Sequence, residues 1–211
     1  MSTSPSKNNI LKKIQLALTH STPIPFPEST NSTSVFQPLQ QDIVVEFAEQ
    51  FTQLGGKFNF CLNEQELAIH FEKLCYQNQW TKRYCIDEKL RQLLLQNHWH
   101  DNIASCDAAI TFCEVLIART GSMVLSSNNS GRVTSVYAPV HICIAYTSQL
   151  VYEIKDGLLL LQQKYKENLP SFITLATGPS RTADIEKTLV VGVHGPKEVY
   201  CFLVDDLEQA S

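Results

Sequence analysis

The chain has 211 residues, 44% of them hydrophobic and 18% charged, with a formal net charge of −4. That length buries roughly 70% of the unfolded surface, enough for a substantial core, and the mild acidity gives no basis for nucleic acid as the main partner. No stretch of eighteen consecutive apolar residues and no signal-peptide pattern occurs, so a cytoplasmic protein without a membrane span is expected. Residues 8–20 carry Ile10, Leu11, Ile14, Ala17 and Leu18 on one helical stripe, with Lys7, Lys12 and Lys13 mostly opposite. Residues 21–38 hold Pro23, Pro25, Pro27 and Pro38 among Ser, Thr and Asn, the composition of an extended linker. The expected organisation is therefore an N-terminal helix and Pro-rich linker over 1–38, able to serve self-association, followed by one α/β domain over 39–211.

Within 39–211, Ile43, Val44, Phe47 and Phe51 predict a helix stopped by Gly55-Gly56. Residues 57–61 read as a strand, and Asn63 with Glu66 three residues later caps a helix running to about Gln79. A short strand at 83–86, a helix at 87–95 and a buried strand at 107–112 follow. Further strands are expected at 123–125 and 140–145, with a turn over 126–132, and residues 149–154 and a helix at 158–167 lead on to the last third of the chain. Alternating strands and helices imply an α/β sheet. The closely spaced strands after residue 120 suggest antiparallel additions to that sheet.

The seven cysteines are odd in number, and none lies within three residues of another. They read as buried core thiols, so neither an iron–sulphur cluster nor zinc is expected on this chain. His98-Trp99-His100-Asp101 has the alternation of a metal site but no third ligand nearby in sequence, and reads as a surface loop. Ser122 lacks a nucleophile-elbow context and reads as a turn residue. His141 opens an apolar strand after Pro139, either as a satisfied core histidine or as a site residue.

The densest chemistry lies between Phe172 and Asp205. A strand over 172–176 delivers Thr177-Gly178-Pro179-Ser180-Arg181-Thr182-Ala183-Asp184-Ile185-Glu186, and Gly192-Val193-His194-Gly195-Pro196 precedes the apolar run 199–204. A loop at a strand's carboxyl end is where α/β sheets bind ligands. Arg181 offers a planar fork for a carboxylate or phosphate, with Ser180 and Thr182 as hydroxyl donors. Thr182 would cap a short helix over 183–188, turning free N–H groups toward the same spot. The alternative is a solvated turn with Arg181 paired to Asp184 or Glu186. His194 suits proton transfer, with Asp184 or Glu186 orienting it or acting as base. No Gly-rich dinucleotide fingerprint follows an early strand, which speaks against an independent nicotinamide dehydrogenase.

This signature, Thr177–Glu186 with Gly192–Pro196, resembles that of the lactate-utilisation protein C family, whose common unit is the LUD domain. Weaker resemblance runs back through Pro139-Val140-His141 and Ala118–Ser122 to about residue 105. The resemblance implies a single Rossmann-like domain of the sugar-phosphate isomerase and CoA-transferase type, with a mixed sheet flanked by helices. It also implies a role in oxidising L-lactate to pyruvate alongside iron–sulphur partner subunits. Thr177, Gly178, Ser180, Arg181, Thr182, His141 and Gly121 are then the expected ligand-binding set, with His194, Asp184 and Glu186 as catalytic candidates. Arg119 departs from the family's pattern, which often has an acidic residue there, so no carboxylate role carries over. The other reading is an independent enzyme acting on a sugar phosphate or acyl-CoA.

Overall fold

Asp42 fixes the start of the main unit's first helix, its carboxylate accepting the N–H groups of Val44 at 2.8 Å and Val45 at 3.3 Å. The structure, a computed structural model, describes residues 5–19, 38–94, 98–185, 188–192 and 194–207, and at 5–6, 17–18, 129–130, 182–185 and 188–190 the backbone alone. The chain divides into two units, Met1–Pro38 and Leu39–Ser211. The first contains helix α1 (Pro5–Leu18), whose Ile10, Leu11 and Ile14 are exposed. The expected linker over 21–38 lies, up to residue 37, outside the described residues.

The second unit begins with α2 (Ile43–Gln53), β1 (Lys57–Cys61) and α3 (Glu64–Gln77). Asn63 caps α3 by accepting from Glu66 N at 2.9 Å, while the Glu66 carboxylate accepts from Leu62 N at 2.7 Å. Then come β2 (Arg83–Tyr84), α4 (Glu88–Leu93), β3 (Ala108–Phe112), β4 (Val115–Ile117) and β5 (Ser122–Ser126). After these come α5 (Ser127–Ser130), α6 (Thr134–Tyr137), β6 (Val140–Tyr146), β7 (Leu150–Val151) and α7 (Ile154–Tyr165). The last four strands are β8 (Ile173–Ala176), β9 (Arg181–Ile185), β10 (Thr188–Val191) and β11 (Glu198–Val204).

Five strands form a parallel sheet in the order β1-β11-β6-β3-β2. The strands after residue 120 do not extend it antiparallel, as expected from their spacing. Two of them, β6 and β11, sit inside the parallel sheet, whereas β5 and β8 join β4 and β7 in a separate mixed sheet, β7-β4-β5-β8. Strand alternation sets the layers. On β11, Tyr200, Phe202 and Val204 face Leu67, Phe71 and Leu90 of α3 and α4. Cys201 and Leu203 face the opposite way, toward Phe47 and Phe51 of α2 and toward Leu116, Met123 and Leu125 of the small sheet. The far side of that small sheet, Val115, Ile117 and Val124, packs on Leu161 of α7. The mixed α/β layering follows from which apolar residues each strand turns to each face.

All seven cysteines are free and buried. Burial pushes the Cys61 and Cys75 thiols up to about 11 and Cys85 up to about 12. They pack as core residues.

Candidate functional site

Strand alternation turns His141, with Cys143 and Ala145, toward the small sheet, and places it at the amino end of β6 beside Val199 of β11. Its ring is 1% exposed. Thr111, on the neighbouring β3, sits with its Oγ1 2.9 Å from His141 Nε2. The other ring nitrogen, Nδ1, is buried without a hydrogen-bond partner among the described residues. Burial lowers the imidazole to about 4, so it is neutral at pH 7. An unmatched buried polar nitrogen costs about 1–3 kcal/mol, a cost that a bound group able to hydrogen-bond would remove.

That ring lines a cleft of about 160 Å3 between the amino ends of β6 and β11 and the edge strand β8. Val136 of α6, Leu175 and Ala176 of β8 and Pro196 give it apolar walls, and Ser135, Ser180 and His194 bring polar groups. The loop after β8 closes one side through a backbone neck. Ser180 N donates to Pro196 O at 2.9 Å, and Gly192 N donates to Ser180 O at 2.9 Å. Beyond this neck β9 and β10 pair as an antiparallel hairpin. The helix expected over 183–188, with Thr182 as its cap, is therefore replaced by strand at its described residues, 183–185 and 188. Its array of free N–H groups is not formed, because β9 and β10 bond to each other. The loop does leave the carboxyl end of β8, but the cleft it closes lies at the amino end of the parallel sheet.

The expected ligand-binding residues separate into three groups. Gly178, Ser180 and His141 line the cleft, together with the catalytic candidate His194. Thr177 and Gly121 do structural work nearby. Thr177 Oγ1 lies 2.8 Å from Ser122 Oγ, which lies 2.8 Å from Thr120 Oγ1. Gly121 has φ +58°, and a methyl group there would come within 2.5 Å of Phe51 N. Its glycine lets the chain lie directly on the backbone of α2. Arg181 is exposed and does not line the cleft, its Nη2 donating at 2.6 Å to Leu54 O at the end of α2. Gly178 meets the same carbonyl, since a Cβ there would stand 2.7 Å from Leu54 O. Thr182 and Asp184 lie on β9, and Glu186 falls outside the described residues.

The remaining sequence motifs take structural places. Arg119 Nε pairs with Glu153 Oε2 at 2.9 Å. Arg132 donates to Ser171 Oγ at 2.9 Å, and His100 Nε2 lies 2.8 Å from Ser105 Oγ. Among the described residues no cluster of three or more His, Cys, Asp or Glu is placed to hold a metal. No described helix is long and apolar enough to cross a membrane. Sequence reading did not pick out Ser135 and Val136, which stand on a four-residue helix too short to show a period. It also missed a larger cleft of about 570 Å3 at the carboxyl ends of β3 and β6, lined by Glu64, Asp87, Lys89, Phe112 and Tyr146 among others. The smaller cleft is the better candidate because it combines signature residues with an unmatched buried nitrogen.

A parallel sheet backed by a small mixed sheet, with one loop closing a cleft beside them, defines an α/β protein of two packed sheets. The model of the LUD domain matches residues 62–204, and the chain belongs to that family. Lactate utilization protein C of Bacillus licheniformis is 38% identical over 112 residues, covering 50% of this chain and 47% of that protein. The namesake from Shouchella clausii is 41% identical over 102 residues, covering 47% and 44%. The matched segments thus span about half the length of these relatives. A crystal structure of a DUF162 family protein from Deinococcus radiodurans shares the fold with a TM-score of 0.59, at 21% identity over 79% of this chain and 99% of that one.

Proposed function

We propose that this protein is a non-redox component of a lactate-utilisation system that oxidises L-lactate to pyruvate, and that it binds a small ligand in the cleft under its signature loop. The observation that carries the reading is the family match over 62–204, which contains both the signature loop and His141. Relatives 38–41% identical that bear the name lactate utilization protein C support it. The ligand-binding residues would be His141, Ser180 and Gly178, with His194 at the mouth and Arg181 holding the loop to α2. Iron–sulphur subunits of the same system would be its partners in the cytoplasm, since the seven buried thiols suit packing better than cluster ligation.

Deleting the gene in its native host should abolish or slow growth on L-lactate while leaving growth on pyruvate intact. Tagged protein from lactate-grown cells should bring down iron-containing partners. Unimpaired growth of the deletion strain on lactate would refute the reading. An independent enzyme on a sugar phosphate or acyl-CoA is favoured by one observation, the roomier cleft at the carboxyl ends of the sheet. That alternative predicts turnover by the purified chain alone.

A further inference from the structure

We propose that the cleft holds a small 2-hydroxy acid, with its hydroxyl on His141 Nδ1 and its carboxylate toward Lys197 and His194 at the mouth. This rests on the functional reading above and specifies the ligand. The inner compartment, at about 160 Å3, has room for several water-sized groups but falls below the size of sites that take drug-sized or nucleotide ligands. Its lining includes no Lys, Arg, Asp or Glu among the described residues, so a charged group is better placed outside it.

A neutral imidazole has one N–H and one lone pair. Thr111 takes Nε2 and can serve as donor or acceptor there, so Nδ1 presents the complementary role. A ligand hydroxyl, which both donates and accepts, satisfies either tautomer. The apolar walls formed by Val136, Ala176 and Val199 suit a short alkyl group. A second, open compartment of about 490 Å3 adjoins the first, sharing Val136, His194 and Gly195, and adds Lys197. A short acid bound across this junction keeps its carboxylate beside the cation and its hydroxyl on the buried ring.

Isothermal titration of the full chain with L-lactate and with propionate, which lacks the hydroxyl, tests this directly. L-Lactate should bind about tenfold more tightly than propionate, the difference made by one buried hydrogen bond. His141→Phe keeps a ring of similar size and should bring L-lactate down to the propionate level while leaving propionate nearly unchanged. Lys197→Ala should weaken both acids alike. Equal binding of the two acids to the unaltered protein overturns the proposal, as does absence of L-lactate binding at millimolar concentration. The comparison between the acids stands even if His141→Phe fails to fold. Failure here with growth on lactate still dependent on the gene removes the site but keeps the functional reading. Tight binding with gene-independent growth does the reverse.

Discussion

Protonating His141 in place would put a charge on a buried ring with the Thr111 hydroxyl beside it. The sign of its pH effect follows from that. The folded imidazole titrates near 4, below its usual value near 6.5, so the unfolded chain binds the extra proton first. The stabilisation is complete above pH 6.5 and is lost as pH falls toward 4, by about 3 kcal/mol. Urea unfolding of the wild type and His141→Phe across this window should show the wild type losing stability more steeply. Parallel slopes would place the ring in contact with solvent. At Gly121, a Cβ would meet the α2 backbone in a left-handed conformation, so Gly121→Ala should cost about 2–5 kcal/mol, measurable as a lower denaturation midpoint. Arg181 makes one charge-assisted bond from an exposed position to a helix C-terminus. Arg181→Ala should therefore cost about 0.5–1.5 kcal/mol, far less than removing half of a buried ion pair.

The hairpin β9–β10 shows where local sequence misleads. Thr182-Ala183-Asp184-Ile185 has a capping hydroxyl and helix-compatible residues, yet its backbone pairs with β10. The neck at Ser180, Gly192 and Pro196 holds the two arms side by side, a constraint between residues more than ten apart that no local propensity records. The strands β1, β6 and β11 were legible because each is a compact run flanked by turn residues. By contrast, β4 was hidden. Residues 108–118 form a nearly continuous apolar run broken only by Thr111 and Glu114, and nothing local shows that the chain changes sheets at Cys113-Glu114. Glu114 itself anchors that change. Its side chain is 0% exposed and accepts from Ser126, from Lys164 at 2.7 Å and from Tyr165 at 2.7 Å. Burial would raise its carboxyl, but those donors outweigh it and hold it below the ordinary carboxylate range. Its stabilisation is present above about pH 4.5 and is lost as pH falls further. Lys164→Met leaves the carboxylate to two hydroxyls and should cost about 1–3 kcal/mol, read as a drop in thermal midpoint.

At the scale of the molecule, every cluster of buried residues described lies within 39–211. Removing residues 1–38 should therefore leave a domain that unfolds cooperatively at nearly the same temperature, and calorimetry of the truncated chain checks this. Loss of a cooperative transition would assign the N-terminal unit to the fold. The α/β class could be read from alternating strands and helices, and the site's neighbourhood from the signature loop. The cleft itself could not, because it needs His141 and Ser180, 39 positions apart in sequence, brought together by the bond from Ser180 N to Pro196 O, just before β11, and by the pairing of β11 with β6. The proposed role of this loop is to close a cleft over a neutral histidine whose unmatched Nδ1 takes a ligand hydroxyl. Nitrogen NMR of the His141 imidazole at pH 7, recorded during titration with L-lactate, tests it most directly. The expected result is a neutral ring whose Nδ1 resonance moves on saturation while Nε2, held by Thr111, stays nearly fixed. A protonated ring, or an Nδ1 signal indifferent to lactate, would contradict it.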